Sequence, residues 1–143
     1  MEEINLHLQK KYKEIEENEV RYETFETDDA EVVLVAFGLP ARICQKTVEL
    51  ARAKGIKAGL VRPITLFPFP KKIISDLSKK IDHFLVVELN AGQMVEDVML
   101  AANGNCPVHF KGRMGGMLVQ PEEVLEEIEK IVEESLTLNA GQE

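Results

Sequence analysis

The sequence predicts an α/β protein, a three-layer α/β/α sandwich on a mostly parallel sheet. Two observations carry this. The runs "EVVLVAFG" and "HFLVVEL" are apolar without alternation, which suits strands buried on both faces, because only double burial removes the need for polar positions. Such runs alternate with segments whose apolar residues fall three and four apart, the order of successive βα units.

The elements follow in turn. From Ile4 to Glu17 the apolar residues Ile4, Leu8, Tyr12 and Ile15 are spaced by four, four and three, which makes a one-sided helix. Val20 to Thr27 alternates Val20 and Tyr22 with polar residues, as an edge strand does. Glu31 to Gly38 is a strand that stops at glycine before a helical pattern of Ile43, Val48, Leu50 and Ala51, itself ended by Lys54-Gly55. Lys57 to Pro63 is the next strand, followed by the loop "ITLFPFP" and a helix from Lys71 to about Lys80. His83 to Leu89 is a strand leading to a helix from about Gln93 to Asn103, and Cys106 to Gly112 is a last short strand. Pro121-Glu122-Glu123 opens the final helix, with proline in the first turn and acids at the positive end of the dipole. The expected organisation is a linker helix over residues 1–19, one domain over 20–136 and a flexible tail over 137–143, loose from Asn139 onward.

Composition narrows the function. With 143 residues, 45% hydrophobic and 29% charged, the chain is one ordinary globular domain able to bury its own core. No apolar run approaches the ~18 residues that a membrane-spanning helix needs. The start Met1-Glu2-Glu3 is acidic and unlike a signal peptide, so the cytoplasm is the expected compartment. A net charge of -8 argues against nucleic acid and anionic membrane, both of which call for a basic face. Cys44 and Cys106 stand apart with no C-x-x-C and no histidine at ligand spacing, so buried free thiols are expected rather than a metal site.

If Val32–Phe37 and Phe84–Val87 lie side by side, their exits "FGLPAR" and "VELNAGQM" share the crevice where the strand order reverses. "FGLPAR" has one glycine rather than G-x-G-x-x-G, and no G-x-x-x-x-G-K-[ST] is present, so neither nucleotide fingerprint applies. His7, His83 and His109 are scattered and neither cysteine has a local base, which leaves no nucleophile–base pair. The stretch Arg62 to Pro70, with three prolines and two phenylalanines, reads either as a plug on the end of the sheet or as an exposed aromatic edge for a partner. Phe110 to Leu118 reads either as a turn-rich connection or as a cationic, flexible loop that approaches an anion or a neighbouring backbone. Asn90 is expected to cap the following helix, with Glu88 and Gln93 reaching outward.

As a set, "AEVVLVAFGLPARI", "GIKAGLVRPITLFPFP", "LVVELNAGQMVEDV" and "PVHFKGRMGG" closely resemble the C-terminal part of the alpha subunit of 2-oxoacid:ferredoxin oxidoreductases, over roughly Val20 to Val132. The likeness is greatest to the 2-oxoisovalerate or 2-oxoglutarate branch. It implies a domain similar to the C-terminal domain of transketolase: five strands, the first (about Tyr22 to Phe25) antiparallel, the second and fourth central neighbours. It also implies a parent complex that uses thiamine diphosphate, magnesium, coenzyme A and iron–sulfur clusters to decarboxylate a 2-oxoacid and reduce ferredoxin.

The departures are equally informative. The family's pyrimidine-binding domain is absent, as are a G-D-G…N-N stretch for diphosphate and magnesium and a cysteine set for a cluster, so no catalytic or cofactor-binding residue carries over. The chain therefore reads as a fragment or separately encoded piece. Its expected role is structural, docking the remaining alpha-subunit domain and the beta and gamma subunits, with ferredoxin reached only indirectly and a homodimer as a further reading. Alone it is expected to be inactive and to bind no thiamine diphosphate. The interface and crevice candidates are Gly38, Arg42, Phe67, Phe69, Glu88, Asn90, Gln93, Arg113 and Met114. The competing reading is an independent small-molecule binder that holds an anion or sugar-like ligand with Glu88, Asn90, Gln93 and the first helical turn.

Overall fold

The computed structural model describes residues 1–141. Five helices and five strands follow in the order α1 (Glu2–Asn18), β1 (Tyr22–Phe25), β2 (Val32–Val35), α2 (Leu39–Ala53), β3 (Ala58–Pro63), α3 (Lys71–Ser78), β4 (His83–Glu88), α4 (Met94–Ala102), β5 (Val108–Gly112) and α5 (Pro121–Ala140). The strand order is β1-β3-β2-β4-β5. β1 runs antiparallel to β3 while the other pairings are parallel, so the expected mixed sheet and its central β2–β4 pair are both present.

Both faces of the sheet are covered, which explains the unbroken apolar strands. Val33, Val35, Phe84 and Val86 pack under Ile74 and Leu77 of α3 and Met94, Val95 and Val98 of α4. Leu34, Leu85 and Val87 turn to the opposite face, against Cys44 and Val48 of α2 and Val124, Leu125 and Ile128 of α5. The chain moves from β2 outward to β3, then back past β2 to β4 and on to β5. A constant crossover hand puts the helices of opposite directions on opposite faces, as α2 and α3 are.

Two ties on the second face fix α5. The Thr47 hydroxyl is buried and sits 3.0 Å from the carbonyl oxygen of Ile43 and 3.2 Å from that of Pro121, joining α2 to the first residue of α5. Gln120 and Glu123 form a reciprocal capping box around Pro121, which seals the start of the helix. The helix continues to Ala140, so residues 137–140, expected in a loose tail, are helical; residues 142–143 lie outside those described. The apolar residues of its last turns, Leu136 and Leu138, are exposed.

α1 stands apart from this core. It is amphipathic as expected but buries no residue, and Ile4, Leu8 and Tyr12 remain exposed. The chain through Val20 joins it to the domain, and Tyr12 meets Phe67 edge-on with ring centroids 6.4 Å apart. No helix among the described residues is long and apolar enough to cross a membrane.

Candidate functional site

Because β2, β3, β4 and β5 are parallel, the loops that follow them all emerge at one edge of the sheet, and every candidate residue lies at the strand end, in the loop or in the helix that follows it. The β2–α2 turn pivots on Gly38, whose φ of 63° lies in the left-handed region that favours glycine. Leu39 just beyond it is exposed, as is Arg42 on the first turn of α2.

The β4–α4 loop is organised by a residue whose role differs from the expected one. Glu88 ends β4 with 1% exposure. Its Oε1 accepts the backbone N–H of Met94 at 2.7 Å, and its Oε2 accepts those of Gln93 at 3.1 Å and Val95 at 3.2 Å. The carboxylate thus satisfies the free N–H groups of the first turn of α4 and places a negative charge at the positive end of the helix. Asn90 does not cap the helix; its Oδ1 accepts the N–H of Gly92 at 2.7 Å and its Nδ2 donates to Glu88 at 3.3 Å. Glu88 therefore cannot reach outward, because its acceptors are consumed inside its own loop, whereas the side chain of Gln93 is exposed. A carboxylate five to seven residues before the amides it binds lies outside the usual capping spacings, which is why the pattern hid it.

The two outer loops present the apolar surface. In the β3–α3 loop Phe67 is 64% exposed, with Ile64 and Leu66 also open to solvent. Phe69, at 6% exposure, instead turns inward and joins the core beneath α3. The loop thus divides the two readings between its phenylalanines: Phe69 plugs the sheet end and Phe67 stays outside. In the β5–α5 loop Met114 is 69% exposed and Met117 and Leu118 are likewise open. This loop is nonetheless shaped from within. Arg113 donates to the Glu123 carboxylate at 2.9 and 3.0 Å and to the Leu118 carbonyl at 3.1 Å, and its own backbone N–H binds the Glu88 carbonyl at 3.2 Å. The Gln120 backbone N–H, and then Arg113, hold the Glu123 carboxyl below its ordinary value. Arg113 is therefore a buckle, half-buried and paired, rather than a free anion ligand.

Between α1 and the β3–α3 loop lies a cavity of about 620 Å³, lined by Glu16, Glu17, Tyr22, Phe67, Lys71 and Asp97 among others. It is displaced from the β2–β4 crevice in which a ligand was expected under the alternative reading.

Among the described residues no nucleophile is assembled at this edge. Burial pushes the Cys44 thiol up, and burial followed by the Asp82 carboxylate does the same for Cys106, which is the opposite of what a reactive thiolate requires. The cysteines also pack on opposite faces of the sheet, so the pair does not fit an iron–sulfur cluster. Among the described residues no group of three histidine, cysteine, aspartate or glutamate side chains is placed to hold a metal. Glu88, the one buried carboxylate among them, has its oxygens occupied by backbone N–H groups, so it does not fit magnesium diphosphate either.

A family model described as pyruvate:ferredoxin oxidoreductase core domain II matches residues 30–124. The chain belongs to that family. It is 49% identical over 135 residues to the ketoisovalerate oxidoreductase subunit VorB of Methanothermobacter thermautotrophicus, covering 94% of this chain and 38% of the relative. It is 35% identical over 102 residues to the 2-oxoglutarate synthase subunit KorA of Methanothermobacter marburgensis, covering 71% of this chain and 27% of that one. The chain thus spans well under half the length of these curated relatives. Among solved structures, 2-oxoglutarate:ferredoxin oxidoreductase from Magnetococcus marinus superposes with a TM-score of 0.67 at 18% identity, over 77% of this chain and 19% of that one. A split-gene transketolase, an inactive β4 tetramer, superposes at 0.65 with 16% identity, over 77% of this chain and 40% of that one. At such identities the likeness is one of fold, and it agrees with the transketolase C-terminal-like architecture. The match of the core domain II family runs from Ala30, before β2, to Val124 in α5, and so contains all four carboxyl-edge loops.

Proposed function

We propose that this core domain II is a structural and assembly domain of a thiamine-diphosphate-dependent 2-oxoacid:ferredoxin oxidoreductase. The observation that carries the reading is the concentration of exposed apolar side chains at one edge of the sheet, Leu39 at the start of α2 and Ile64, Leu66, Phe67, Met114, Met117 and Leu118 in loops. Exposed apolar surface of this kind marks an interaction site. Burying even a few such side chains supplies about 1.5–3 kcal/mol each, enough to offset part of the cost of association.

In this reading the domain contributes shape and no reacting group. Glu88 and Arg113 hold the β4–α4 and β5–α5 loops in place before the partner arrives, so less ordering remains to be done on docking. The partners are the rest of the alpha subunit and the beta and gamma subunits, and thiamine diphosphate, magnesium, coenzyme A and the iron–sulfur clusters are held elsewhere in the complex. The higher identity to the ketoisovalerate subunit, over more of the chain, supports a branched-chain 2-oxoacid as substrate of the whole enzyme rather than 2-oxoglutarate.

Reconstitution tests this. The remaining polypeptides of the complex should gain coenzyme-A-dependent ferredoxin reduction with 2-oxoisovalerate only when this domain is supplied, and the isolated domain should show no calorimetric signal with micromolar thiamine diphosphate. Saturable binding of thiamine diphosphate by the isolated chain would overturn the proposal.

A further inference from the structure

Two histidines 26 positions apart in the chain meet on one face of the sheet. His83 opens β4, and the parallel register sets His109 of β5 opposite Leu85, two residues along and on the same side as His83. Nδ1 of His83 lies 3.1 Å from Nε2 of His109, with ring centroids 5.2 Å apart and the planes tilted by 48°. Both rings are half-buried, so one side of the pair is packed and the other meets solvent.

At 3.1 Å the two nitrogens share a single proton, one donating and the other accepting. The same separation suits a metal. With metal–nitrogen bonds of about 2.0–2.1 Å, a 3.1 Å nitrogen–nitrogen spacing subtends an angle of roughly 95–100° at the metal. That is close to two adjacent corners of a tetragonal site, the arrangement that copper(II) and nickel(II) favour with imidazole and oxygen ligands.

We propose that His83 and His109 form a two-imidazole binding site for a divalent transition metal of the copper–nickel–zinc class, with water oxygens in the remaining positions. When both rings are neutral, the bridging proton moves to the other nitrogen of its own ring and none is released. No third protein ligand completes the group among the described residues, so the affinity should be on the order of micromolar rather than that of a closed structural site.

The site is independent of the docking edge, so its test does not depend on that reading. Copper(II) titrated into the full chain should bind in a calorimetric step of one equivalent, with electron paramagnetic resonance showing coupling to two nitrogens. His83→Gln and His109→Gln should each weaken binding at least about tenfold and remove one nitrogen coupling. His7→Gln, on the exposed face of α1, should change neither. In the unaltered chain, bound copper should protect His83 and His109, but not His7, from diethyl pyrocarbonate, a readout that does not depend on the variants folding. Unchanged affinity in both His83→Gln and His109→Gln, loss of binding in His7→Gln, or no protection in the unaltered chain would overturn the proposal.

Discussion

The Glu88 carboxylate and the Met94 backbone nitrogen are 2.7 Å apart, the shortest of the contacts through which one buried acid closes the first turn of α4. Glu88→Ala leaves the N–H groups of Gln93, Met94 and Val95 without an acceptor in a water-poor site, and should cost about 2–4 kcal/mol. Glu88→Gln keeps one carbonyl acceptor and should cost roughly half as much. Urea unfolding midpoints of the two variants against the parent measure this.

Gly112 ends β5 where a side chain has no room. A Cβ there would lie 2.5 Å from the Asn90 carbonyl oxygen and would collide with the Phe110 ring. Gly112→Ala should destabilise by about 1–3 kcal/mol, the usual range for overpacking. A thermal unfolding midpoint that falls by several degrees, set against no change for Gly104→Ala in stability beyond its local backbone strain, checks it; Gly104 has open space around its Cβ position.

Arg113 should matter to loop order more than to stability. Its pair with Glu123 is more than a third exposed on the acid's side, so Arg113→Ala should change global stability by less than about 1 kcal/mol. Amide exchange across residues 113–118 should nevertheless accelerate, because the Leu118 carbonyl and the Glu123 carboxylate lose their common donor. Exchange mass spectrometry of the variant reads this directly.

His83 ties stability to pH. Burial, then the positive charge of His109 when protonated, hold its folded-state pKa below the ordinary 6.5. The unfolded chain then binds more protons than the folded one as pH falls through that window, so the contribution is intact above about 6.5 and is lost progressively below it. Between pH 7.5 and pH 5.5 the parent should lose more stability than His83→Gln does, as unfolding midpoints at the two values would show.

Much of this architecture was legible in the chain, and for a physical reason. Val32–Val35 and Phe84–Val87 are buried on both faces and so show no polar alternation, and the condition that such strands lie side by side is met in the β2–β4 pair. The loops were harder. Phe67 and Phe69 are two residues apart in one proline-rich stretch, and only the packing beneath α3 distinguishes the inward ring from the outward one. Glu88 looked like an outward-facing ligand because polarity alone does not reveal that a carboxylate turns back to its own backbone. His83 and His109 looked scattered because their meeting depends on strand register, which no local pattern encodes.

Hydrogen–deuterium exchange tests most directly whether the carboxyl edge of the sheet is a docking surface. Residues 64–67 and 110–118 should be compared in the isolated chain and in the oxidoreductase assembled with its remaining polypeptides. Protection of both segments by at least about tenfold on assembly, with the already buried strands β2 and β4 unchanged, is the predicted result. Equal exchange of both segments in the two states would contradict it.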